Sequence, residues 1–263
     1  MYHHVNPNKG DMVTVTPETF NGQMKYLHER RYRTLKLDEL ILCMNRKLIL
    51  KEKAVVITFD DGWLDNYIYV YPVLKKYKIN ATIFIVTDRI ERANKNLIQI
   101  TSIPTHKESK LLIKQGEEHR VVLNWDLIKE MLYSGLVDVY SHTKSHVKCD
   151  RLSEKELLEE LGESKKVIET RLGRPCPYLC WPYGLYNDTA LKIAKDVVYK
   201  ALFTTRHGVV KADSDPFAMN RIVIKDNITW FKQRMLIYTN SILSQVYLSI
   251  LRKNKNNEAQ IGK

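Results

Sequence analysis

Asp60 and Asp61 stand side by side in the stretch "AVVITFDDGW", Ala54 to Trp63, directly after a run of apolar and β-branched residues. Adjacent carboxylates repel each other, so a pair placed where a buried strand ends calls for positive charge. Further along, His142 and His146 lie four apart in "SHTKSH", a spacing that on a helical turn projects both imidazoles from one face. Two neutral imidazoles and a carboxylate suit zinc or a similar divalent ion, and three protein ligands leave positions open for water or substrate. One aspartate completes such a site. The other, beside the ion, is placed to take a proton from water. Taken singly, an i, i+4 histidine pair is more often a surface accident and Asp-Asp-Gly more often a turn. Their joint occurrence at strand ends carries the inference.

Those strand ends follow from the pattern of the chain. Short β-branched or apolar runs predict strands at Ala54 to Thr58, Ala81 to Val86, Val137 to Ser141, Tyr178 to Trp181, Ala201 to Thr205 and Arg221 to Ile224. Segments of helical period lie between them at about Pro17 to Arg30, Asn66 to Tyr77, Asn124 to Ser134, Ser153 to Leu172, Asn187 to Asp196 and Thr229 to Leu251. Ser153 with Glu156 is a capping box, and Gly173 follows the last periodic position. This alternation is that of an α/β domain with a parallel sheet, either a barrel or an open doubly wound sheet. Both put active sites at the carboxyl ends of their strands, where the two aspartates, "SHTKSH" and "WPYG" (Trp181 to Gly184) all fall.

The 263 residues show no repeat and no flexible linker, which predicts one domain over residues 1–251 and a polar, unordered tail over 252–263, "RKNKNNEAQIGK". A second polar patch runs from Arg92 to Arg120. The net charge of +12 suits an anionic partner such as a lipid surface or an acidic polymer. Aromatic and basic residues do not alternate as in nucleic-acid modules, so no nucleic-acid partner is expected. Cys43, Cys149, Cys176 and Cys180 match no zinc-finger or redox spacing and read as free thiols. No run of 18 apolar residues occurs, and "MYHHVNPNKG" lacks the basic and apolar regions of a signal peptide. As written, the chain reads as cytoplasmic, or as exported if its beginning is incomplete. Peripheral membrane contact could come through the last helix, where Phe231, Met235, Tyr238, Ile242 and Val246 form a stripe with basic residues around it.

"TFDDG", "SHTKSH" and "WPYG", in this order, resemble the motifs of the polysaccharide deacetylases, the NodB-homology group of carbohydrate esterase family 4, over roughly Met1 to Ile224. The resemblance implies a distorted, incomplete (β/α) barrel of about seven strands. It implies a metal-dependent hydrolase of carbon–nitrogen bonds other than peptide bonds, removing acetyl groups from N-acetylated sugars of a polysaccharide or lipid-linked glycan. Asp60 would be the base; Asp61, His142 and His146 would hold the divalent ion, zinc first among the candidates; the Tyr183 amide would bind the oxyanion. Trp181, Pro182, Tyr183 and Trp63 would line the sugar site. Most of the family takes its general acid from a histidine near the end of the domain, but "NRIVIKDN" (Asn220 to Asn227) has none. A branch resembling the poly-N-acetylglucosamine deacetylases supplies it instead from a Tyr-His-x-Val segment, here "YHHV" at Tyr2 to Val5. His3 then becomes the acid, with His207 as the alternative and His4 facing away on an extended strand. Where most members carry an arginine that orients the base, this chain has Cys180; Arg221 in "NRIV" is a candidate to orient a site carboxylate. The alternatives are hydrolysis of another carbon–nitrogen amide, such as a cyclic ureide, and a carbohydrate-binding protein without turnover.

Overall fold

Six short parallel strands, paired strictly in chain order, make the central sheet: β1 (Thr58–Phe59), β2 (Ala81–Ile85), β3 (Val137–Ser141), β4 (Tyr178–Cys180), β5 (Ala201–His207) and β6 (Met219–Arg221). The computed structural model describes residues 1–9, 11–95 and 103–261, with side chains as far as Leu251. Parallel neighbours need crossover connections, and helices supply them. Every residue of β2 and β3 is buried, as expected where helices cover a parallel sheet on both faces. Phe59, Ile83, Phe84, Val139, Leu179 and Leu202 carry the core along these strands.

The edges of this sheet are tied to each other by residues 1 and 2. The Tyr2 amide donates to the Thr58 carbonyl (2.8 Å) and the Asp60 amide to the Tyr2 carbonyl (3.1 Å). On the opposite side, the Met1 nitrogen donates to the Ile222 carbonyl (2.9 Å) and the Ile224 amide to the Met1 carbonyl (3.1 Å). The sheet therefore curls into a barrel in which this segment takes the place of the seventh expected strand. Tyr2 anchors it: the ring stacks on Phe59 at 5.2 Å, meets Phe20 edge-on at 5.4 Å, and donates its hydroxyl proton to Gln23 Oε1 (2.8 Å). His3 follows directly and is thereby delivered to the carboxyl end of β1.

Several expected elements differ in detail. The run from Ala54 to Thr58 is two strands, because Ala54–Val55 pairs with Arg33–Thr34 and only Thr58–Phe59 joins the main sheet. The last strand lies at Met219–Arg221 rather than Arg221 to Ile224, with an irregular register against β5. The expected helices at Asn66 and Ser153 each contain a π-helical turn, Asn66–Val70 and Glu159–Glu163. The terminal helix breaks at Thr239–Asn240 into Ile228–Tyr238 and Ser241–Ile261; Asn240 Oδ1 accepts from the Ile242 and Leu243 amides and starts the second piece. The helix runs on to Ile261, into the segment expected as a polar tail. In the polar patch, the helix His106–Lys114 is closed by the Thr105/Glu108 capping box, and residues 96–102 lie outside the described ones. Among the described residues, no helix is long and apolar enough to cross a membrane.

Two outcomes follow for stability. Tyr2→Ala should cost about 3–5 kcal/mol in urea denaturation by leaving a cavity under Phe59 and Phe20, and Tyr2→Phe about 1 kcal/mol for the lost hydroxyl bond. Asp226 accepts from the Thr16 amide and hydroxyl (2.9 Å each) and pairs with Lys9 (2.7 Å), fastening the loop after β6 to the first helix. Burial works to raise its pKa, but Lys9 and the Thr16 and Thr19 donors outweigh it and bring the carboxyl from 3.8 to about 2. Its contribution is present above pH 3.8 and lost as pH falls through about 2. Asp226→Asn should therefore lower the melting temperature near neutrality, and the gap to the parent chain should close toward pH 2.

Candidate active site

At the carboxyl end of β1 the backbone turns abruptly. Asp61 has φ 77° and Gly62 φ 74°, so two successive left-handed residues swing the second carboxylate round toward β3. A side chain at position 62 would be strained by that φ and would press on Ile85 Cγ2 at 3.0 Å, so only glycine fits. Trp63 then donates its indole N–H to Asp61 Oδ2 (3.1 Å) and fixes the carboxylate's rotation. Asp60 and Asp61 are 2% and 5% exposed, so neither charge is left to water.

The two histidines come from the loop after β3, although not from a helical turn. Thr143 (φ 65°) and His146 (φ 66°) are both left-handed, which folds the loop back on itself. The result still brings His146 Nε2 to 3.0 Å and His142 Nε2 to 3.8 Å from Asp61 Oδ1. His142 Nδ1 bonds the Cys180 carbonyl at 2.7 Å; with the proton on Nδ1, the Nε2 lone pair faces Asp61. Burial, against the opposing pull of Asp60, pushes the His142 pKa down to about 4, so the ring is neutral and able to ligate at neutral pH. Asp61 Oδ1 is buried, and no hydrogen bond of good geometry reaches it although His146 Nε2 stands at 3.0 Å. A buried carboxylate oxygen on which two imidazole nitrogens converge is what a cation site requires, and the donor set suits a zinc-like ion. Arg89, with Nη1 at 3.5 Å from the same oxygen and Cζ over the Trp63 ring at 5.9 Å, is a neighbour that no motif announced.

Asp60, Cys180 and His142 also converge, but there the positive charge is already supplied. Arg221 reaches across from β6 and grips both Asp60 oxygens, Nη1 to Oδ1 at 2.7 Å and Nη2 to Oδ2 at 2.8 Å. It is 7% exposed, and its Nε donates to the Thr204 carbonyl (2.8 Å). Burial alone would raise the Asp60 pKa; the guanidinium overcomes this and holds the carboxyl below the usual carboxylate range. Cys180, where an arginine was expected from resemblance, gives Arg221 Nη2 a sulfur contact at 2.9 Å, and burial pushes its thiol pKa up. The orienting arginine thus comes from the other side of Asp60.

His3 Nε2 lies 3.9 Å from Asp60 Oδ2 with its side chain 21% exposed, open to a substrate. Burial lowers its pKa, with Asp60 and Asp61 pulling the other way. His4 turns away: Nδ1 bonds Asp65 Oδ2 (2.6 Å), Nε2 bonds His106 Nδ1 (2.9 Å), and the ring stacks on Trp63 at 4.3 Å. His207 bonds Tyr238 OH through Nε2 (2.7 Å), so the terminal helix engages the ring. Of the four residues expected to line a sugar site, only Tyr183 fits. It is 53% exposed, has φ 58°, and packs edge-on against His146 at 4.8 Å. Trp63 (1% exposed) and Trp181 (0%, stacked on Tyr186) are buried, and so is Pro182; a ring without exposed surface cannot stack on a pyranose.

Two groups that hold these loops carry no motif, and both sit on the π-helical turns. Asn66 Nδ2 donates to the His3 carbonyl at 2.9 Å. Glu160 accepts from the Ser145 amide (2.9 Å) and hydroxyl (2.6 Å), while its own carbonyl accepts from the Lys144 amide (3.2 Å). From the other side, the Thr87 and Asp88 amides donate to the Thr143 and Lys144 carbonyls. The left-handed loop between the two histidines is thus clamped from both flanks. Wide turns of this kind concentrate at functional sites.

The family model for polysaccharide deacetylases matches residues 47–202, more than half of the chain and both aspartates and histidines. The chain belongs to the polysaccharide deacetylase family. YxkH of Bacillus subtilis is 30% identical over 229 residues, covering 87% of this chain and 71% of that one. The poly-beta-1,6-N-acetyl-D-glucosamine N-deacetylase of Staphylococcus aureus is 30% identical over 218 residues, 81% of this chain and 69% of that one. Among solved structures, the Streptococcus pyogenes deacetylase PplD in complex with acetate superimposes with a TM-score of 0.75 at 25% identity, covering 91% of this chain and 96% of that one. A polysaccharide deacetylase is a hydrolase, so the site must activate water, take one proton and return one to the leaving group. Asp60 and His3, facing each other across 3.9 Å beside the Asp61 cluster, have the chemistry for both proton steps.

If the Glu160 clamp sets the histidine geometry, Glu160→Ala should weaken zinc binding about 10–100-fold in calorimetric titration, with Glu160→Gln, which keeps one acceptor, falling between. Unchanged zinc affinity in both variants would mean that the loop holds its shape unaided.

Proposed function

We propose that this chain removes acetyl groups from N-acetylated glucosamine units of a glycan, with a divalent ion, zinc first among candidates, held by Asp61, His142 and His146. The observation that carries the reading is the convergence of the buried Asp61 Oδ1 and both imidazoles on one point, with an ionised Asp60 fixed alongside by Arg221. When bound, such an ion supplies Lewis acidity, lowering the pKa of water and polarising a carbonyl oxygen. The choice of N-acetylglucosamine is supported by the Staphylococcus aureus relative, whose name states that reaction.

The protein's own groups do the rest. Asp60 takes the proton of the attacking water at Oδ2, the oxygen nearer His3. The Tyr183 amide, turned by its left-handed φ, donates to the tetrahedral oxyanion. Asp60 passes the water proton to His3 Nε2, and as the carbon–nitrogen bond breaks the imidazolium delivers it to the departing sugar amine, leaving acetate and a free amine. Arg221 keeps Asp60 ionised between turnovers. The exposed Tyr183 ring gives the sugar an apolar face to pack on.

Acetate release from N-acetylglucosamine oligomers tests this. Asp60→Asn and His3→Ala should each lower kcat by about 10²–10⁴-fold, and chelator treatment should abolish turnover until zinc is restored. Oligomer binding with no acetate from the zinc-loaded chain would contradict the reading and favour a binding protein. Full activity in His3→Ala would move the acid elsewhere.

A further inference from the structure

The break at Thr239–Asn240 changes what the terminal stripe does. Before it, Phe231, Met235 and Tyr238 are buried against the barrel. After it, the helix Ser241–Ile261 buries Ser244 and turns its aliphatic residues outward: Ile242, Leu243, Val246 and Ile250 are 71%, 49%, 55% and 51% exposed. At 100° per residue these four fall within one arc of about 100°, away from the Ser244 side. Leu236, on the preceding helix, is 53% exposed as well. Four large aliphatics on one solvent-facing arc are more than scattered surface leucines, and such an arc asks for a cover.

The charge of the sequence selects the cover. From Asn227 to Ile261 it holds Lys232, Arg234, Arg252, Lys253 and Lys255 against Glu258 alone, in a chain of net charge +12. A second copy of the chain would bring a molecule of the same charge. An anionic bilayer instead takes the aliphatic arc into its interface and attracts a basic chain. We infer that the helix Ser241–Ile261 docks the enzyme flat on an anionic phospholipid surface, through Ile242, Leu243, Val246 and Ile250. This would confine the site to glycan lying close to a membrane.

Vesicle co-sedimentation tests the assignment, using the whole chain with vesicles of phosphatidylcholine alone and of phosphatidylcholine mixed with phosphatidylglycerol. The chain should bind the mixed vesicles, release them as salt is raised, and bind neutral ones at least about tenfold more weakly. The double variant Ile242→Asp/Val246→Asp, altered only at exposed positions, should lose at least about tenfold in affinity for the mixed vesicles while keeping its melting temperature and its acetate release from soluble oligomers. Absence of binding, or equal binding by the double variant, would overturn the inference. So would a stable dimer of the parent chain that the double variant converts to monomer, since a second copy would then be the cover.

Discussion

Arg221 and Asp60 form a bidentate ion pair with side chains only 5% and 3% exposed, and most of the architecture bears on that one contact. Burying two charges costs several kcal/mol each, recovered only with good geometry and further hydrogen bonds. Here the fork is complete, and the spare donors go to the Thr204 carbonyl and Thr58 Oγ1. Because Arg221 stands on β6 and Asp60 follows β1, the pair spans the same seam that Met1 and Tyr2 close through the backbone. Barrel closure and placement of the Asp60 carboxylate are therefore coupled, and His3 is carried to its side by the residues that seal the seam.

Around this pair the chain stores strain. Asp61, Thr143, His146 and Tyr183 are all non-glycine residues at positive φ, and all four border the site. Such conformations cost on the order of 1–3 kcal/mol each and persist only where the surroundings over-determine them. The surroundings here are specific: Trp63 holds Asp61, Glu160 and the Thr87 and Asp88 amides hold the histidine loop, and the Thr205 hydroxyl donates to the Tyr183 carbonyl. The site is preorganised by these supports.

How far the sequence could be read depends on the range of the forces involved. β2 and β3 were legible because continuous apolar runs reflect local burial. That the aspartates and histidines would meet was legible because each motif falls at the carboxyl end of a strand, where a parallel sheet gathers its loops. The two-part course of Ala54 to Phe59 was not, since only the pairing partners Arg33–Thr34 and Thr82–Ile83 decide it. The histidine loop was misread as helical because i, i+4 spacing says nothing of the left-handed turns at Thr143 and His146. Trp63 and Trp181 were misread as sugar-facing for a similar reason: an aromatic next to a motif looks the same whether its ring faces solvent or core. Arg221 was only a candidate until the fold brought it 161 positions back along the chain to Asp60.

The most direct test of this dependence is kcat/KM for acetate release in Arg221→Lys beside Cys180→Ala. Lysine keeps the charge but cannot form the fork, so Arg221→Lys should lose at least about tenfold, while Cys180→Ala, which leaves the fork intact, should stay within about threefold of the parent. Parent-like turnover in Arg221→Lys, or an equal loss in Cys180→Ala, would contradict the view that the guanidinium fork from β6 sets the base.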